Sequence, residues 1–293
     1  MTAFKSNCNL KIFNKREDIH HHLNDLRSAG KSIGFVPTMG ALHAGHLSLI
    51  EAARNKTDVV VCSIFVNPTQ FNDKKDLENY PRTLEEDLEK LRAFKCDILF
   101  LPEVEEMYNS SEIWKISLGD LDKILEGKIR PGHYQGVTQI VNKLFNTLNP
   151  DFAFFGQKDY QQVMVISHMV RKMKIDVKIV VCPIIREMDG SAMSSRNVYL
   201  SPEERIQSLA LYHALTLAQN LFETHSIFET KKRVRSFLDS CPGIETEYFE
   251  IFNARTFKPL NSKNAAVTIA LIATRIGKIR IIDNMYLNKG NSQ

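Results

Sequence analysis

The chain is organised around one stretch, residues 35–46, which runs Phe35-Val36-Pro37-Thr38-Met39-Gly40-Ala41-Leu42-His43-Ala44-Gly45-His46. Apolar residues from Lys31 to Val36 predict a short buried strand before it, and the apolar spacing from Leu47 to Ala53 predicts a helix after it. The stretch is therefore a strand-to-helix turn. Glycines 40 and 45 allow a ligand to approach the backbone closely, and a helix start presents unpaired N–H groups and a positive dipole end. The sequence predicts a phosphate-binding turn here.

Two histidines, His43 and His46, lie three residues apart at the start of the predicted helix. At that spacing both rings can face the same anion, and each can donate a hydrogen bond or a proton near neutral pH. The alternative is that the two rings only cap the helix. Because the pattern H-x-G-H at a strand-to-helix turn is far more specific than a lone histidine, we favour the anion-binding interpretation.

Strands and helices alternate along the first two thirds of the chain. Predicted strands at residues 58–66, 97–101, 151–155 and 177–185 are separated by helical segments. This alternation predicts an α/β fold, a Rossmann-like doubly wound parallel sheet that binds ligands at the carboxyl ends of its strands. The composition changes near Ile185, after which two helices precede antiparallel strands. We therefore expect two domains, residues 1–185 and a smaller α+β domain of residues 186–293.

Polar residues cluster directly after the predicted strands. Asn67 and Gln70 follow one strand, residues 156–162 follow another, and residues 193–197 follow the strand predicted to end at Ile185. Each residue alone has a simpler explanation as part of a solvated loop or turn. A lysine at a helix start is electrostatically unfavourable unless an anion is nearby, so Lys158 is better explained by a bound phosphate. Arg196 offers forked donors that suit the same ligand.

The composition is that of an ordinary globular protein, with 43% hydrophobic and 25% charged residues and a net charge of +4. The basic residues are interleaved with acids, so we expect no nucleic acid partner. Five scattered cysteines form no C-x-x-C pair, which favours a reducing compartment over zinc binding. We see no signal peptide and no apolar run long enough to span a bilayer, and we expect a cytoplasmic protein.

The histidine turn resembles the H-x-G-H signature of a nucleotidyltransferase superfamily, and residues 37–46 resemble one branch of it, the pantothenate synthetase family. Further segments resemble motifs of that family in the same order: Ser63-Ile64-Phe65-Val66-Asn67-Pro68-Thr69-Gln70-Phe71, Tyr80-Pro81-Arg82-Thr83, Arg130-Pro131-Gly132-His133-Tyr134-Gln135-Gly136-Val137, Phe155-Gly156-Gln157-Lys158-Asp159-Tyr160-Gln161-Gln162 and Asp189-Gly190-Ser191-Ala192-Met193-Ser194-Ser195-Arg196-Asn197. The resemblance implies ATP-dependent condensation of pantoate with β-alanine through a pantoyl-adenylate, with release of AMP and pyrophosphate.

The same resemblance implies which residues form the site. ATP would be held by Met39, Gly40, Ala41, Leu42, His43, Ala44, Gly45, His46, Gly156, Gln157, Lys158, Asp159, Ile185, Met193, Ser194, Ser195 and Arg196. His46 would take the acid role and His43 would donate to a phosphate. Lys158 and Arg196 would offset charge in catalysis. Gln70 and Gln162 would hold pantoate, and Gln70 would also lie near β-alanine.

Mg²⁺ is expected with ATP, and its ligands are unknown; the acidic residues Glu85, Glu86 and Asp87 are candidates by position alone. Similarity also suggests a homodimer, with residues 58–65 and the helix that follows them as a possible contact surface. Because water would hydrolyse the adenylate that the resemblance implies, we expect the smaller domain, residues 186–293, to act as a lid over the site. Two other functions stay open at this point. One is a nucleotidyltransferase that keeps the adenylate in its product and releases no free AMP. The other is a non-catalytic RNA-binding protein, whose affinity would fall steeply with salt.

Overall fold

The structure of the protein, a computed structural model, describes residues 10–109 and 112–288. Within these residues the chain forms two compact units. The first contains residues up to Gly156 together with Gln162–Cys182, and the second contains Gln157–Gln161 together with the residues from Pro183 onward. The predicted division into domains of residues 1–185 and 186–293 stays a prediction.

The first unit is built on a six-stranded sheet in which every described strand pairing is parallel. Its strands are β1 (Lys11–Phe13), β2 (Ile33–Thr38), β3 (Val59–Ile64), β4 (Ile98–Phe100), β5 (Phe152–Gly156) and β6 (Lys178–Cys182). The order across the sheet is β1-β4-β3-β2-β5-β6, so the direction of progress reverses between β2 and β5. Parallel sheets bind ligands at such a reversal, outside the carboxyl ends of the strands.

Helices cover both faces of this sheet, and continuous apolar runs explain the strands between them. The helices are α1 (Arg16–Ser28), α2 (Ala44–Arg54), α3 (Lys74–Glu78), α4 (Leu84–Ala93), α5 (Val104–Met107), α6 (Leu125–Ile129), α7 (His133–Leu148) and α8 (Tyr160–Met173). Two hydrophobic clusters lie in this unit, one containing Phe35 and Phe145 and the other containing Val36 and Phe154. Because the neighbouring residues 35 and 36 point to opposite faces of β2, each strand residue packs against a different helix layer.

Three details of the first unit differ from the sequence prediction. Strand β6 ends at Cys182 rather than residue 185, because Pro183 has no N–H to continue the ladder. The alternating pattern of residues 114–118 predicts an edge strand, but these residues are irregular, and the Gln135 side chain bonds both backbone groups of Ile116. Strand β3 is buried along its whole length between β4 and β2, so its side chains cannot form a contact between two copies of the chain.

The second unit packs two helices against an antiparallel sheet in the order β7-β8-β9. Its elements are α9 (Pro202–Thr224), α10 (Ile227–Asp239), β7 (Ile244–Asn253), β8 (Thr268–Ile276) and β9 (Ile279–Asn288). The sequence pattern of Ser201 followed by Glu204 predicts a capping box at the start of α9, and the box is present: the Ser201 hydroxyl accepts from the Glu204 N–H, and the Glu204 carboxylate accepts from the Ser201 N–H. The predicted fold class is confirmed by both sheets.

No helix in the described ranges is long and apolar enough to cross a membrane.

Candidate active site

The turn between β2 and α2 has an unusual backbone. Gly40 has φ +82° and Ala41 has φ +50°, so two successive residues are left-handed. A side chain at position 40 would also crowd the Asp87 carboxylate, since an added Cβ would lie 3.2 Å from its Oδ2 atom. A left-handed alanine is strained and persists only where its surroundings hold it. The turn therefore needs an external support.

Asp87, from helix α4, supplies that support. Its Oδ2 accepts from the Ala41 N–H at 2.9 Å and its Oδ1 accepts from the Leu42 N–H at 2.7 Å. The carboxylate is buried, with 1% of the residue exposed. Lys90, one turn further along α4, donates to the Leu42 carbonyl at 2.9 Å. Helix α4 thus fixes both the N–H and the C=O groups of the turn, and charge-assisted hydrogen bonds of this kind are the stronger ones.

Both histidines of the H-x-G-H pattern cap helix α2. The His43 Nδ1 accepts from the Gly45 N–H at 3.1 Å, and the His46 Nδ1 accepts from the His43 N–H at 3.4 Å. The ring centroids are 4.1 Å apart. An Nδ1 atom that accepts a hydrogen bond carries no proton, so a neutral ring in this geometry has its proton on Nε2. Each ring is thereby oriented as an Nε2–H donor.

For most backbone N–H groups at this turn, the structure does not support the predicted role as unpaired donors to a ligand. The N–H groups of residues 40–43 and 45–47 all donate within the chain, to Thr38, Asp87 and the histidines. The capping alternative is therefore observed, and it is compatible with an anion site that uses the ring Nε2 atoms and the helix dipole. The anion-binding role of His43 and His46 stays a prediction.

Gln70 follows β3 on a short 3₁₀ turn, Pro68–Gln70, and a chain of neutral hydrogen bonds sets its orientation. Asn67 donates from Nδ2 to the Gln70 Oε1 at 3.0 Å, and the Gln70 Nε2 points at the Met39 sulfur, 3.1 Å away. Asn67 Oδ1 accepts from the Tyr108 hydroxyl at 2.6 Å and from the Thr69 hydroxyl at 3.0 Å. The two hydroxyl donors show which side-chain atom of Asn67 is the oxygen, so the other atom is the Nδ2 donor. Since this Nδ2 donates to the Gln70 Oε1, the amide N–H₂ of Gln70 must lie on the other side, beside Met39.

Helix α7 approaches this 3₁₀ turn very closely. A Cβ added at Gly136 would lie 2.3 Å from the Thr69 carbonyl oxygen, so no other residue fits without displacing backbone. Asn67 also donates to the Gly136 carbonyl at 3.2 Å. The predicted pantoate residue Gln70 is therefore held on a rigid support, with Met39 of the predicted ATP turn beside it.

Gln162, the other predicted pantoate residue, lies in the first turn of α8 and is half-buried. It belongs to the first unit, like the turn after β2. The remaining predicted ATP residues, Gln157–Asp159, Ile185 and Met193–Arg196, belong to the second unit. Gly156, at the end of β5, is the last residue of the first unit before the chain enters the second.

In the second unit, Gln157–Asp159 form a 3₁₀ turn ahead of α8. Asn284, on β9, donates from Nδ2 to the Gln157 carbonyl at 3.0 Å and to the Lys158 carbonyl at 2.9 Å. The Gln157 side chain returns a bond to the Asn284 Oδ1 at 3.0 Å. These bonds fix the backbone that carries Lys158.

Residues 185–193 form a tight hairpin, closed by a bridge between Arg186 and Ala192 and by the Met193 N–H, which donates to the Ile185 carbonyl at 3.1 Å. A 3₁₀ helix, Ser195–Tyr199, follows, and Ser194 caps it by accepting from the Arg196 N–H. The two predicted ATP segments of this unit thus come next to β9, one through Asn284 and the other through Arg186, which pairs with Asp283.

No cluster of three or more metal-ligating side chains occurs among residues 10–109 and 112–288. Both Asp87 oxygens accept backbone N–H groups, Glu86 lies 3.6 Å from Lys90, and Glu85 is exposed. Magnesium is commonly held by substrate phosphates, water and one or two carboxylates rather than by a protein cage. A magnesium ion that accompanies ATP stays a prediction.

Sequence analysis named Asp87 only as a candidate metal ligand and missed its role as a support of the turn, and it did not single out the Asp283-Asn284 pair. Asp87 shares a helical face with the apolar residues Leu84, Leu88 and Leu91, which is a signal for an inward-facing carboxylate. Asp283 and Asn284 interrupt the apolar strand β9, and a polar pair inside a strand is a signal for a specific partner.

Comparison with known proteins identifies relatives over nearly the whole chain. The family model described as pantoate-beta-alanine ligase matches residues 11–286. The pantothenate synthetase of Bacteroides fragilis is 45% identical over 277 residues, which cover 94% of this chain and 98% of that protein. That of Aquifex aeolicus is 46% identical over 278 residues, covering 93% and 97%.

Solved structures agree with these sequence matches. The pantothenate synthetase of Thermus thermophilus superimposes with a TM-score of 0.90 at 39% identity and covers 95% of this chain and 100% of that one. The pantoate-beta-alanine ligase of Francisella tularensis, solved with beta-gamma ATP and beta-alanine, has a TM-score of 0.77 at 34% identity and covers 97% and 100%.

Proposed function

The chain belongs to the pantoate-beta-alanine ligase family, ATP-dependent ligases that form pantothenate, and we propose that it works in two steps through a pantoyl-adenylate. The observation that supports this most is the H-x-G-H turn of His43 and His46 at the end of β2, beside the strand-order reversal, within a family match that spans residues 11–286. Adenylation requires that the phosphate groups of ATP be held in place, and the N-terminus of a helix such as α2 favours a bound phosphate.

In the first step a carboxylate oxygen of pantoate attacks the α-phosphorus of ATP. A phosphorus–oxygen bond forms to pantoate, the bond to the β-phosphate oxygen breaks, and pyrophosphate leaves. Negative charge builds on the phosphate oxygens. His43, His46, Lys158 and Arg196 offset it as positioned donors, so catalysis is mainly positioning and electrostatic stabilisation.

In the second step the uncharged amine of β-alanine attacks the acyl carbon of the adenylate. The new C–N bond replaces the C–O bond to AMP, which leaves, and the amine loses a proton. Gln70 and Gln162 hold the pantoyl part through both steps. Met39, 3.1 Å from the Gln70 Nε2, lies where the predicted ATP turn and the predicted pantoate residue meet.

We propose that Mg²⁺ is bound with ATP and offsets the charge of the phosphate groups. Since the described residues offer no metal cluster, nucleotide oxygens and water would supply most of its ligands. Chelation of Mg²⁺ should abolish adenylation while leaving the folded structure intact, and circular dichroism in the same buffer would check the second point.

The test of the two-step route is isotope exchange between pyrophosphate and ATP, with pantoate and β-alanine each supplied or omitted. We expect exchange that requires pantoate and proceeds without β-alanine. Exchange that appears only when β-alanine is present would exclude a free adenylate step. Free AMP in the complete reaction separates this ligase from a nucleotidyltransferase that keeps the adenylate in its product.

An RNA-binding role is not favoured by the charges. In the basic run Lys231–Arg235 on α10, Lys231 and Arg235 both pair with Glu250, and Arg233 pairs with Glu229. A homodimer, a cytoplasmic location and the lid role of residues 186–293 stay predictions. Light scattering on the purified chain tests the first. Equal hydrogen exchange in residues 186–293 with and without nucleotide would count against the lid.

A further inference from the structure

Strand β9 carries two consecutive buried polar residues, Asp283 and Asn284, which are 3% and 1% exposed. Successive strand residues point to opposite sides, so such a pair can serve two partners at once. Buried polar groups require hydrogen-bond partners, and both residues find theirs in chain segments about 100 residues or more away in sequence. Those segments are the two parts of the second unit that are predicted to bind ATP.

Asn284 holds the segment that carries Lys158. Its side-chain amide donates to the carbonyls of Gln157 and Lys158 and accepts from the Gln157 side chain, at 2.9 to 3.0 Å. All three bonds constrain the 3₁₀ turn that precedes α8. The position of the Lys158 Cα is therefore set from β9 rather than by α8 alone.

Asp283 holds the hairpin that leads to Arg196. Its carboxylate binds the Arg186 guanidinium in a forked arrangement, with Nη1 to Oδ2 at 2.7 Å and Nη2 to Oδ1 at 3.1 Å. Arg186 is further held by the ring of Tyr212, 5.2 Å from the guanidinium carbon, and by donation to the Asn284 carbonyl at 3.1 Å. A planar forked pair of this kind fixes orientation as well as distance.

From Arg186 the constraint continues to the predicted ATP residues. Arg186 donates to the Gly190 carbonyl at 3.0 Å, which sets the tip of the hairpin. The hairpin closes at Ala192, whose carbonyl accepts from the Asn197 side chain at 3.2 Å. The Met193–Arg196 segment lies between these two fixed points.

We propose that Asp283 and Asn284 are a positioning pair for ATP, which places Lys158 through one residue and Met193–Arg196 through the other. The proposal rests on the proposed function, because it takes both segments as ATP-binding. It gives the small antiparallel sheet an indirect part in nucleotide affinity. The pair does not touch ATP; it sets the geometry of the residues that do.

The test compares Asn284→Asp and Asn284→Ala with wild type by pantoate-dependent exchange at varied ATP. Asn284→Asp keeps the shape but replaces the N–H₂ donors with an acceptor facing two carbonyls. We expect the KM for ATP to rise about 10- to 100-fold, which is the range typical of losing a residue that orients a ligand-binding residue. The KM for pantoate should change less than about twofold. Arg186→Lys, which keeps the charge but loses the fork, should raise the KM for ATP as well.

Thr274→Val is the matched control. Thr274 is fully buried in the same sheet, on β8, and its hydroxyl has no partner among the described residues, so the substitution removes no hydrogen bond seen there. We expect an unchanged KM for ATP. A loss of folded protein alone would lower kcat in proportion to the active fraction and leave KM unchanged.

Two outcomes separate the proposal from the function on which it rests. If wild type shows pantoate-dependent exchange but the Asn284 and Arg186 variants keep a wild-type KM for ATP, the positioning pair is overturned and the function stands. If wild type shows no such exchange while it still binds ATP, the two-step function fails first. Direct titration of ATP by calorimetry covers the case of a variant that folds but is too slow to assay, and wild-type affinity there would also overturn the proposal.

Discussion

The turn after β2 and the hairpin after β6 are each held by a buried carboxylate from a distant element, but the two carboxylates bind different partners. Asp87 accepts two backbone N–H groups of the turn. Asp283 binds a guanidinium, that of Arg186, and accepts one N–H from Asn284. The first support acts on the turn backbone directly, and the second acts through a side chain.

The difference has an energetic consequence. Burial raises the pKa of the Asp283 carboxyl, and the Arg186 hydrogen bonds and charge act in the opposite direction. The main role of the negative charge of Asp283 is therefore to balance the positive charge of the Arg186 guanidinium. The charge of Asp87 strengthens two hydrogen bonds to a turn in which Ala41 is left-handed. Loss of Asp283 should thus affect stability most, and loss of Asp87 should affect the geometry of the turn.

The largest predicted effect is on the stability of Asp283→Asn. The substitution removes the carboxylate that balances the Arg186 guanidinium, and breaking a buried pair in this way costs about 3–5 kcal/mol. We expect the lower end, about 3 kcal/mol, because Arg186 keeps its bonds to the Gly190 and Asn284 carbonyls. Urea denaturation of the full chain measures it. For Asp87→Asn we expect a smaller loss in the free energy of unfolding, about 1–3 kcal/mol, because the substitution changes hydrogen bonds but leaves no cation unbalanced. A larger loss for Asp87→Asn than for Asp283→Asn would contradict the difference drawn between the two carboxylates.

The next prediction tests whether the turn after β2 and the second-unit segment that carries Lys158 both act on ATP. His46→Ala in the first region and Lys158→Ala in the second should each lower the adenylation rate by roughly 10² to 10³, the loss expected for one preorganised electrostatic contact. Pyrophosphate exchange measures the rate. His21→Ala and Lys174→Ala, both at exposed positions, are the matched controls and should retain wild-type rates. A wild-type rate in either active-site variant would remove that region from the site.

A smaller catalytic effect is expected for Asp87→Asn. The amide group places a donor against one of the two N–H groups of the turn, so the turn relaxes and the histidine rings shift. We expect the adenylation rate to fall about tenfold, below the effect of removing His46, because the rings themselves remain. Glu85→Gln makes the same charge change at an exposed position of the same helix and should have no effect. Equal losses of adenylation rate in Asp87→Asn and Glu85→Gln would indicate a general effect of the lost charge, and not a specific effect of Asp87 on the turn.

Local signals were sufficient to predict the sheet, the turn after β2 and the helix that follows it. Periodicity and turn residues act within a few positions, and the H-x-G-H pattern lies within one such stretch. The capping box at Ser201 and Glu204 was predicted correctly by the same kind of local rule. The same pattern at Thr83 and Glu86 predicts a capping box for α4, and this prediction is wrong. The Thr83 hydroxyl is buried without a partner in the described part of the chain, and no side-chain bond caps α4 there.

The supports of the site could not be predicted in the same way, because they depend on which distant elements meet. Asp87 and its neighbour Glu86 are both acids in one helix turn, and only packing of α4 against the turn after β2 distinguishes them. The sequence pattern predicts a strand over residues 278–283, which leaves Asn284 outside it, whereas the ladder of β9 continues to Asn288. Edge strand β1 was missed because three residues carry little pattern of their own.

The smallest predicted effect concerns a support that carries no charge. The Tyr108 hydroxyl donates to Asn67, which orients Gln70, so Tyr108→Phe removes one neutral hydrogen bond. A bond of this kind contributes about 0.5–1.5 kcal/mol, which corresponds to about a 2- to 10-fold rise in the KM for pantoate. The KM for ATP should stay at the wild-type value, in contrast to the Asn284 variants.

The pH dependence of the free energy of unfolding provides a second test of the Tyr108 hydroxyl. Burial raises the pKa of Tyr108 from 10.0 to about 12, so the neutral form is favoured in the folded chain. The stability that depends on this form is fully present below pH 10.0, the ordinary value, and is lost as the pH rises through about 12. Tyr108→Phe cannot ionise there, so its stability should fall less than that of wild type over this range. Chemical denaturation of both proteins at several alkaline pH values measures the difference, and Tyr160, whose pKa burial also raises, contributes equally to both. Parallel curves for the two proteins would mean that the Tyr108 hydroxyl is hydrated, and that Asn67 orients Gln70 without it.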